Sequence, residues 1–331
     1  MRTLFTIALL ATTTIFAQNT VCFTIQSNPN SSDPALGVFT KYIDVFGCGI
    51  YAESTVPDDK VLHTAAIWAE IMDNDEDSIV DDPALLSELL SHEAIMPIFE
   101  ADGNTAMNTF MNNYMGDGVA AVLWNSEIDP SQPHSWFDDA TFEEVIHTIN
   151  AVGHVNLYPS AFGISPNSSL LSAAMDSARG GQFISHPGTY PSDAWYHYDD
   201  VTCDYECMAV EYLYWMEASY LGIRDDAATC SAISNEWQPC SQALLQSMDS
   251  LGFALITDPA YKLPQNAPDG NYCPGATSAE EYVQNNFRLF PNPSSGSINI
   301  NRRHSKPEQL VIMSSDGKVI KSITVSDSNF T

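Results

Sequence analysis

Charge is distributed very unevenly along this chain. Residues 18–283 contain 39 acidic and five basic residues, whereas residues 284–331 contain three acidic and six basic ones. A change of this size indicates two modules under different constraints. The acidic module would repel a phosphate backbone, which excludes nucleic acid as a partner and favours cations. Because 44% of the 331 residues are hydrophobic, the chain can still bury a substantial core.

The first 17 residues have the layout of a secretory signal peptide. Arg2 supplies a positive start, residues 4–16 are mostly apolar, and the small Ala17 precedes the expected cleavage site. No other stretch approaches the roughly 18 apolar residues that span a bilayer, so we expect no transmembrane segment. The sequence therefore predicts a secreted or cell-surface protein.

Seven cysteines follow the expected cleavage site, and in an oxidising compartment they would form up to three disulfides. Spacing does not fix their connectivity, so the shortest pairings are the simplest prediction. These pairings are Cys22–Cys48, Cys203–Cys207 and Cys230–Cys240, with Cys273 left over. A zinc cluster is the alternative for Cys203 and Cys207, but no second thiol pair lies at finger-like spacing.

Residues 284–331 have the pattern of a small β-sandwich. Short alternating runs cover residues 297–300, 309–313 and 318–325, with a hairpin turn at 315–317. A turn-rich segment precedes the first run. This pattern and the change in charge both indicate a separate C-terminal domain.

The C-terminal domain resembles the sorting domain of cargo of the type IX secretion system of Bacteroidetes. The resemblance rests on two motifs, Phe290-Pro291-Asn292-Pro293-Ser294-Ser295-Gly296 and Asp316-Gly317-Lys318-Val319. It implies transport through the periplasm and across the outer membrane by the type IX machinery, then release or attachment at the cell surface. Such domains normally close with a further strand that has a Gly-x-Tyr-like ending, so we expect this sorting domain to be truncated at Thr331.

Residues 18–283 are near the upper size limit for one hydrophobic core, so we expect one large domain or two closely packed ones. Apolar periodicity predicts helices, the first of them capped by Asp58 or Asp59, and short apolar runs predict strands. The predicted helices are 58–72, 83–90, 141–152, 170–178, 205–221 and 241–251, and the predicted strands are 21–25, 94–99 and 119–124. The predicted class is α+β, mostly helical.

An acidic run directly after the first predicted helix has the spacing of an EF-hand-like calcium loop. The residues that match ligand positions 1, 3, 5, 7 and 9 are Asp73, Asp75, Asp77, Ile79 (through its carbonyl) and Asp81. Ser78 replaces the usual glycine and Ala84 the usual bidentate glutamate, so Asp82 or a distant residue would complete the ligands. Carboxylates this close together repel one another unless a cation neutralises them. We therefore expect Ca²⁺ here, with a solvated acidic loop as the alternative.

A second group of candidate residues lies on the predicted helix 141–152. At about 100° per residue, Glu143, His147 and Asn150 fall within roughly 60° of one another, beside an apolar stripe that would face the core. Gly153 is the expected end of the helix, and it would let His154 turn back toward the same face.

This helix resembles the active helix of zincin metallopeptidases, whose motif is His-Glu-x-x-His. Glu144 and His147 match the glutamate and the second histidine, and Glu143 stands in place of the first histidine. The motif needs two metal ligands one turn apart and a carboxylate that takes a proton from water. The resemblance implies a zincin-like main domain in which Glu143 and His147, with His154 in reserve, bind Zn²⁺ or another divalent transition metal. Glu144 would be the catalytic base.

A third constellation, in residues 195–215, is rich in aromatic and acidic residues. The helix that begins here carries Glu206 and Glu211 among apolar residues, and buried carboxylates are costly unless they are paired or bound to metal. In zincins with a glutamate ligand, a later helix supplies the third ligand, which implies Glu206 here, with Glu211 as the second choice. Tyr196 or Tyr205 would then stabilise an oxyanion. The alternative is a disulfide-tied helix start with ordinary aromatic packing.

Three functions follow from these patterns. The leading hypothesis is a secreted zincin-like metallohydrolase that acts on peptides, and it requires His147 and a later carboxylate to converge in one cleft. The replaced first ligand is also what a catalytically inactive relative would show. The third is a secreted, calcium-stabilised binding or adhesive domain for a surface glycan or protein, which requires Trp195 and Tyr198 to be exposed on one face.

Overall fold

The computed structural model describes residues 23–274 continuously, together with the backbone of five short strands between residues 287 and 330. The predicted signal peptide, Cys22, the hairpin turn at 315–317 and most of the motif at 290–296 lie outside the described residues. The chain divides into two units, Met1–Cys273 and Pro274–Thr331. This division comes earlier in the chain than the boundary at 283/284 that the charge indicates.

The first unit contains a five-stranded mixed sheet whose strands stand in sequence order. The strands are β1 (Gln26–Ser27), β2 (Lys41–Val45), β3 (Cys48–Ala52), β4 (Ile95–Phe99) and β5 (Leu123–Trp124). β1, β2 and β3 pair antiparallel, whereas β4 is parallel to β3 and β5 is parallel to β4. β3 and β4 are buried along their whole length, as is typical of strands with both faces covered.

The β2–β3 hairpin is an element that the sequence patterns do not predict. Its two-residue loop, Phe46-Gly47, has φ values of 55° and 94°, and positive φ at both positions is what a type I′ turn requires. Phenylalanine is rare in that conformation, so the loop lacks the usual turn signature. The strand predicted at 94–99 is confirmed as β4, and the strand predicted at 119–124 keeps only its last two residues as β5. The strand predicted at 21–25 is wrong in its described part, because pairing begins at Gln26.

The α-helices of the first unit cover the six predicted helical segments and include further helices that the sequence patterns do not predict. They are α1 (Asp58–Met72), α2 (Pro83–Ser91), α3 (Thr105–Asn113), α4 (Thr141–Thr148), α5 (Val155–Leu157), α6 (Pro159–Phe162), α7 (Leu170–Ala178), α8 (Tyr205–Tyr220), α9 (Ala227–Ile233), α10 (Gln242–Met248) and α11 (Ser250–Ile256). A π-helical segment, Ile149–His154, joins α4 to α5 without a break. Short 3₁₀ helices lie at Leu36–Val38 and Asn125–Glu127. The predicted α+β class is confirmed.

Two details of the helix predictions are wrong. α1 begins at Asp58, but its N-cap position is Pro57 and no side chain caps it, so Asp58 and Asp59 lie in the first turn instead. The helix predicted at 241–251 is interrupted at Asp249, whose carboxylate accepts a hydrogen bond from Gly252 N (2.9 Å) and caps α11. The carboxylate thereby starts a second helix where periodicity alone suggests one continuous helix.

α1 is the helix around which the core of the first unit is built. Its Ala65, Ile67 and Trp68 are fully buried in one large apolar cluster. α1 packs against β2, β3 and α4, and α4 packs against α8. Burial of each large side chain stabilises the fold by about 2–3 kcal/mol. α4 is consequently held between α1 and α8.

Two predicted disulfides are confirmed, Cys203–Cys207 and Cys230–Cys240. The predicted Cys22–Cys48 pair is wrong, because Cys48 is a free, buried thiol at the start of the central strand β3. Cys273, predicted to be left over, is disulfide-bonded. Among the described residues, no helix combines the length and the hydropathy needed to cross a membrane.

The second unit is described only as strand backbone. Its strands are β6 (Phe287–Phe290), β7 (Asn299–Arg302), β8 (Glu308–Met313), β9 (Val319–Val325) and β10 (Asn329–Phe330). β7 pairs antiparallel with both β6 and β10, and β8 pairs antiparallel with β9. Three of these strands, β7 to β9, overlap the three predicted alternating runs. The predicted sandwich packing stays a prediction.

Candidate functional site

The helix that carries the zincin-like motif does not end at Gly153, as predicted, but passes through it. α4, the π-helical segment and α5 form one continuous helix. A Cβ at Gly153 would lie 2.5 Å from Leu85 Cδ1 and 3.1 Å from Leu89 Cδ2, so the glycine allows α2 to pack closely against this helix. The predicted helix-stop role of Gly153 is therefore wrong. π-helical turns inside α-helices are frequent at functional sites.

His147 lies at the centre of the candidate site. Its Nε2 is 3.4 Å from Glu211 Oε2 on α8, and its Nδ1 is 3.9 Å from Glu144 Oε2 one turn back on α4. The ring is buried against Tyr214, with 5.3 Å between ring centroids, and Nε2 makes no hydrogen bond. Burial alone would lower the pKa of His147, but the carboxylates of Glu211 and Glu144 raise it well above its ordinary value.

Glu211, not the preferred Glu206, is the α8 carboxylate that meets His147. Glu206 is exposed and accepts a hydrogen bond from Ser165 Oγ (2.8 Å). Five residues along an α-helix correspond to a rotation of roughly 140°, so the two glutamates face different directions. The ligand role predicted for Glu206 therefore does not fit its position, whereas the second choice, Glu211, lies at the site.

Glu143 faces a buried arginine. Its Oε2 is 3.7 Å from Nη2 of Arg224, which is 1% exposed. Arg224 donates hydrogen bonds to the Tyr214 hydroxyl and to the His134 carbonyl, and its guanidinium lies over the ring of Trp136, 5.1 Å from the centroid. Burial raises the pKa of Glu143 to about 7, helped by the neighbouring carboxylates and opposed by His147 and Arg224. A metal ion would have to compete with Arg224 for this carboxylate.

A further carboxylate and a further tyrosine line the same region. Glu236 accepts a hydrogen bond from Trp215 Nε1 (2.9 Å), and burial, with repulsion from nearby acids that include Glu211, raises its pKa to about 7. Burial, together with the charges of Glu211 and Glu236, raises the pKa of Tyr198. The positions of Glu236 and Tyr198 in the sequence follow no regular spacing from the zincin-like motif. The sequence alone therefore does not identify them as residues of this site.

The two tyrosines predicted to stabilise an oxyanion are directed elsewhere. Tyr196 is fully buried and donates its hydroxyl to the Met208 carbonyl (2.8 Å), and Tyr205 donates to Asp176 (3.0 Å). The predicted role is therefore wrong for both. Tyr198 is the tyrosine beside Glu211.

Below His147, a buried chain of polar side chains links α8 to the π-helical segment. Asn150 Nδ2 donates to Glu217 Oε2 (2.6 Å), and Asn150 Oδ1 pairs with His154 Nδ1 (2.8 Å). Burial raises the pKa of Glu217 to about 8, and burial lowers the pKa of His154 to about 4. His154 is thus held in the core, away from the role of spare ligand that the sequence suggested. The helical periodicity places Asn150 on the same face as Glu143 and His147, whereas no sequence pattern points to Glu217.

The acidic loop brings together three of its predicted ligands. Carboxylate oxygens of Asp73, Asp75 and Asp81 all lie within 4.8 Å of one another. Within residues 23–274 this is the one group of at least three His, Cys, Asp or Glu ligands that close together, so Glu143, His147 and Glu211 do not form a preassembled three-ligand set. Asp73 is buried and accepts hydrogen bonds from Ser78 N (2.9 Å) and the Tyr272 hydroxyl (2.6 Å).

The remaining predicted calcium ligands are used differently. Asp77 accepts a hydrogen bond from Ile79 N (2.8 Å), and the Ile79 side chain is 66% exposed. Asp82 caps α2 by accepting from Ala84 N (3.0 Å) and also accepts from the Tyr158 hydroxyl (2.7 Å), so it is not one of the three clustered carboxylates. Ser78 has φ 76°, the left-handed conformation that glycine usually supplies at this loop position.

Comparisons with protein-family models, with curated proteins and with solved structures found no match for this chain. The resemblances to a sorting domain and to the zincin helix, which rest on short motifs, therefore stay predictions.

Proposed function

We propose that this chain is an exported, metal-dependent hydrolase that acts on peptides, with its metal held by His147, Glu211 and Glu143. The observation that carries the proposal is the contact between His147 and Glu211. A buried imidazole nitrogen faces a carboxylate oxygen at 3.4 Å without a hydrogen bond. Two ligands of one tetrahedral ion, each about 2.1 Å from it, are separated by about 3.4 Å.

Glu143 is the third ligand in this proposal. It lies one helical turn before His147, the spacing that places two side chains on one metal. To reach the ion, the Glu143 carboxylate must move away from Arg224. Glu143 would therefore contact Arg224 in the metal-free protein and the metal in the loaded protein. One nitrogen and two carboxylates form a harder ligand set than two histidines, which suits Zn²⁺ less well and leaves room for other divalent transition metals.

Glu144 is the proposed general base. It follows Glu143 directly, is 22% exposed, and is therefore open to water and substrate. A bound divalent ion would lower the pKa of water and polarise a carbonyl. Glu144 would take the proton from the attacking water and return it to the leaving amine, and Tyr198, beside Glu211, would donate a hydrogen bond to the developing oxyanion.

The rival function, a binding or adhesive domain, is less well supported by the aromatic residues. Trp195 and Tyr198 are both partly buried and pack against the core. The Trp195 indole donates its hydrogen bond to Asp249 (2.9 Å), inside the protein. A glycan platform needs exposed ring faces on one surface, which these two residues do not offer.

Export and calcium complete the proposal. The disulfides of the first unit are compatible with an oxidising compartment. The signal peptide and the sorting-domain motifs favour secretion by the type IX machinery. Asp73, Asp75 and Asp81 would hold Ca²⁺ next to the end of α1 and so brace the helix on which the core is built.

The experiment that tests the hydrolase is a combined metal and activity assay on the full chain. Wild type, Glu144→Gln, the double variant His147→Ala with Glu211→Ala, and the matched control Glu206→Ala are dialysed, analysed for bound metal, and incubated with a mixed peptide library. We expect one transition metal in wild type, Glu144→Gln and Glu206→Ala, and none in the double variant. Glu144→Gln should lose roughly 10²–10⁴-fold in cleavage rate.

Three outcomes would contradict parts of this proposal. A wild-type protein without transition metal, or a double variant that retains it, would overturn the metal site. Metal bound at the site without cleavage of any peptide would overturn the peptidase and favour an inactive relative. Loss of metal in Glu206→Ala would restore the ligand set that the sequence suggested first.

A further inference from the structure

A cavity that is remote in sequence from the α4–α8 site opens beside the β2–β3 hairpin. It has a volume of about 390 Å³, which is within the range of small-molecule sites. Its lining comes from the sheet, from the segment before β2, from the end of α2 with the segment that follows it, and from the residue directly after α3. The side chains used below are Asn30, Asp33, Tyr42, Tyr51, Glu93 and Tyr114.

Three tyrosine rings form the walls of this cavity. Tyr42 and Tyr51 lie side by side, with 5.0 Å between ring centroids and 56° between ring planes. Gly49 makes this arrangement possible, because a Cβ there would lie 2.5 Å from the ring of Tyr51 and 3.1 Å from that of Tyr42. Tyr51 is 3% exposed and its hydroxyl accepts a hydrogen bond from Asn30 Nδ2 (2.7 Å). The ring of Tyr51 is therefore fixed in position before any ligand arrives.

The charged residues of the lining are all acidic. Asp33 and Glu93 are exposed at the rim, and the lining contains no lysine, arginine or histidine. The Glu93 carboxylate makes no hydrogen bond or ion pair within residues 23–274, so its charge is uncompensated there. Burial raises the pKa of Tyr51, and the charges of Asp33, Asp44 and Glu93 raise it further. The hydrogen bond from Asn30 acts in the opposite direction. The carboxylates thus create a negative potential at the ring that they surround.

We propose that this cavity binds a small organic ammonium ion, with its alkyl groups against Tyr42 and Tyr114 and its charge balanced by Asp33 and Glu93. Aromatic faces attract cations, and quaternary ammonium groups are recognised by cages of such rings. An anion would be repelled by the rim. A bare metal ion would find only two exposed carboxylates beside aromatic walls. A neutral ligand would gain nothing from the uncompensated charge of Glu93.

The test compares choline with 3,3-dimethylbutan-1-ol, its neutral analogue of the same shape, by titration calorimetry and by saturation-transfer NMR on the full chain. We expect choline to bind at least about tenfold more tightly, and its affinity to fall as salt rises. Tyr114→Ala should weaken choline binding about fivefold, and Tyr114→Phe, which keeps the ring, by less than about twofold. Glu93→Gln should weaken it about threefold and reduce the salt dependence, whereas the matched surface change Glu206→Gln should not.

Thermal unfolding of each variant shows whether a loss of binding comes from a loss of folding. If Tyr114→Ala does not fold, Glu93→Gln still tests the proposal, because Glu93 is exposed. Choline that binds no more tightly than the neutral analogue would overturn the proposal. Equal affinity in wild type and Glu93→Gln, with the salt dependence unchanged, would overturn the role of the rim. Because none of these residues belongs to the α4–α8 site, the result is independent of the hydrolase assay.

Discussion

His147 of α4 and Glu211 of α8 face each other across 3.4 Å with no hydrogen bond between them. Each is held by its own helix, and those helices pack directly against each other. Glu144 and Tyr214 enclose the same imidazole from α4 and α8. The contact therefore joins His147, which belongs to the zincin-like motif, to a carboxylate from a later helix.

Replacing Glu217 by glutamine should make stability less dependent on pH. Burial raises the pKa of Glu217 to about 8, whereas an unfolded glutamate has a pKa of about 4.3. The unfolded chain therefore releases a proton that the folded chain retains, and this lowers the free energy of unfolding by up to about 1.4 kcal/mol per pH unit between those two values. Below pH 4 the effect is absent.

Glu217→Gln removes this titration and still accepts the hydrogen bond from Asn150. Urea unfolding at pH 5 and pH 8 should show a variant more stable than wild type by a few kcal/mol at pH 8, and by much less at pH 5. Glu217→Ala, which leaves a cavity, is the control and should be less stable at both values. Parallel pH profiles of wild type and Glu217→Gln would show that Glu217 is ionised in the fold.

Ser78→Gly should stabilise the acidic loop. Ser78 has φ 76°, a conformation that costs a non-glycine residue about 1 kcal/mol and glycine almost nothing. The expected gain in the free energy of unfolding is therefore about 1 kcal/mol. Ser177→Gly, at an exposed position inside α7, is the matched control and should lose about 0.5 kcal/mol, since glycine is unfavourable within a helix. Chemical denaturation of wild type and the two variants measures both changes in the free energy of unfolding. A lower free energy of unfolding in Ser78→Gly would contradict the loop conformation.

Calcium should stabilise the wild-type protein through Asp73, Asp75 and Asp81. For an extracellular-type site with a Kd near 1 mM, 10 mM Ca²⁺ would add about 1.4 kcal/mol, or about 2–4 °C in Tm. Asp75→Asn with Asp81→Asn should abolish this shift. Without calcium the double variant should be slightly more stable than wild type, because burial, together with neighbouring acids, already raises the pKa of Asp81. Scanning calorimetry of the three proteins with and without calcium tests this, with Asp102→Asn as the control. An equal shift in Tm in all three proteins would rule out the site.

We expect the Cys48 thiol to react with an alkylating reagent only after the protein unfolds. It is fully buried in β3, and burial, with a smaller effect of Asp44, raises its pKa to about 12. A thiol without access or thiolate character reacts slowly. Mass spectrometry should find Cys48 unlabelled by iodoacetamide in native protein and labelled in 6 M guanidinium without reductant. Detection of Cys48 in a disulfide-linked peptide would instead restore the pairing that the sequence suggested.

Local sequence patterns predict some of the helices accurately, but they are insufficient for the site. The apolar spacing of α1, α7 and α8 predicts their bounds to within about one residue. The Phe46-Gly47 turn escaped prediction, since its first residue occupies an unfavourable conformation that only the paired strands impose.

The two glutamates of α8 show that local sequence patterns are also insufficient for identifying functional residues. Glu206 and Glu211 both sit among apolar residues in the sequence, and only the rotation of α8 against α4 decides which one meets His147. Gly153 looked like a helix end, but its role is to let α2 approach, which depends on Leu85 and Leu89 from a distant segment. Contacts between elements, which no local pattern encodes, account for each of these differences.

Anomalous diffraction from crystals of the full chain, loaded with zinc or manganese and recorded at the absorption edge of that metal, would locate the bound ion. We expect a peak about 2.1 Å from His147 Nε2 and from a Glu211 carboxylate oxygen, with Glu143 turned away from Arg224 toward it. A map with no peak beside His147, or with a peak only among Asp73, Asp75 and Asp81, would contradict the metal-dependent hydrolase.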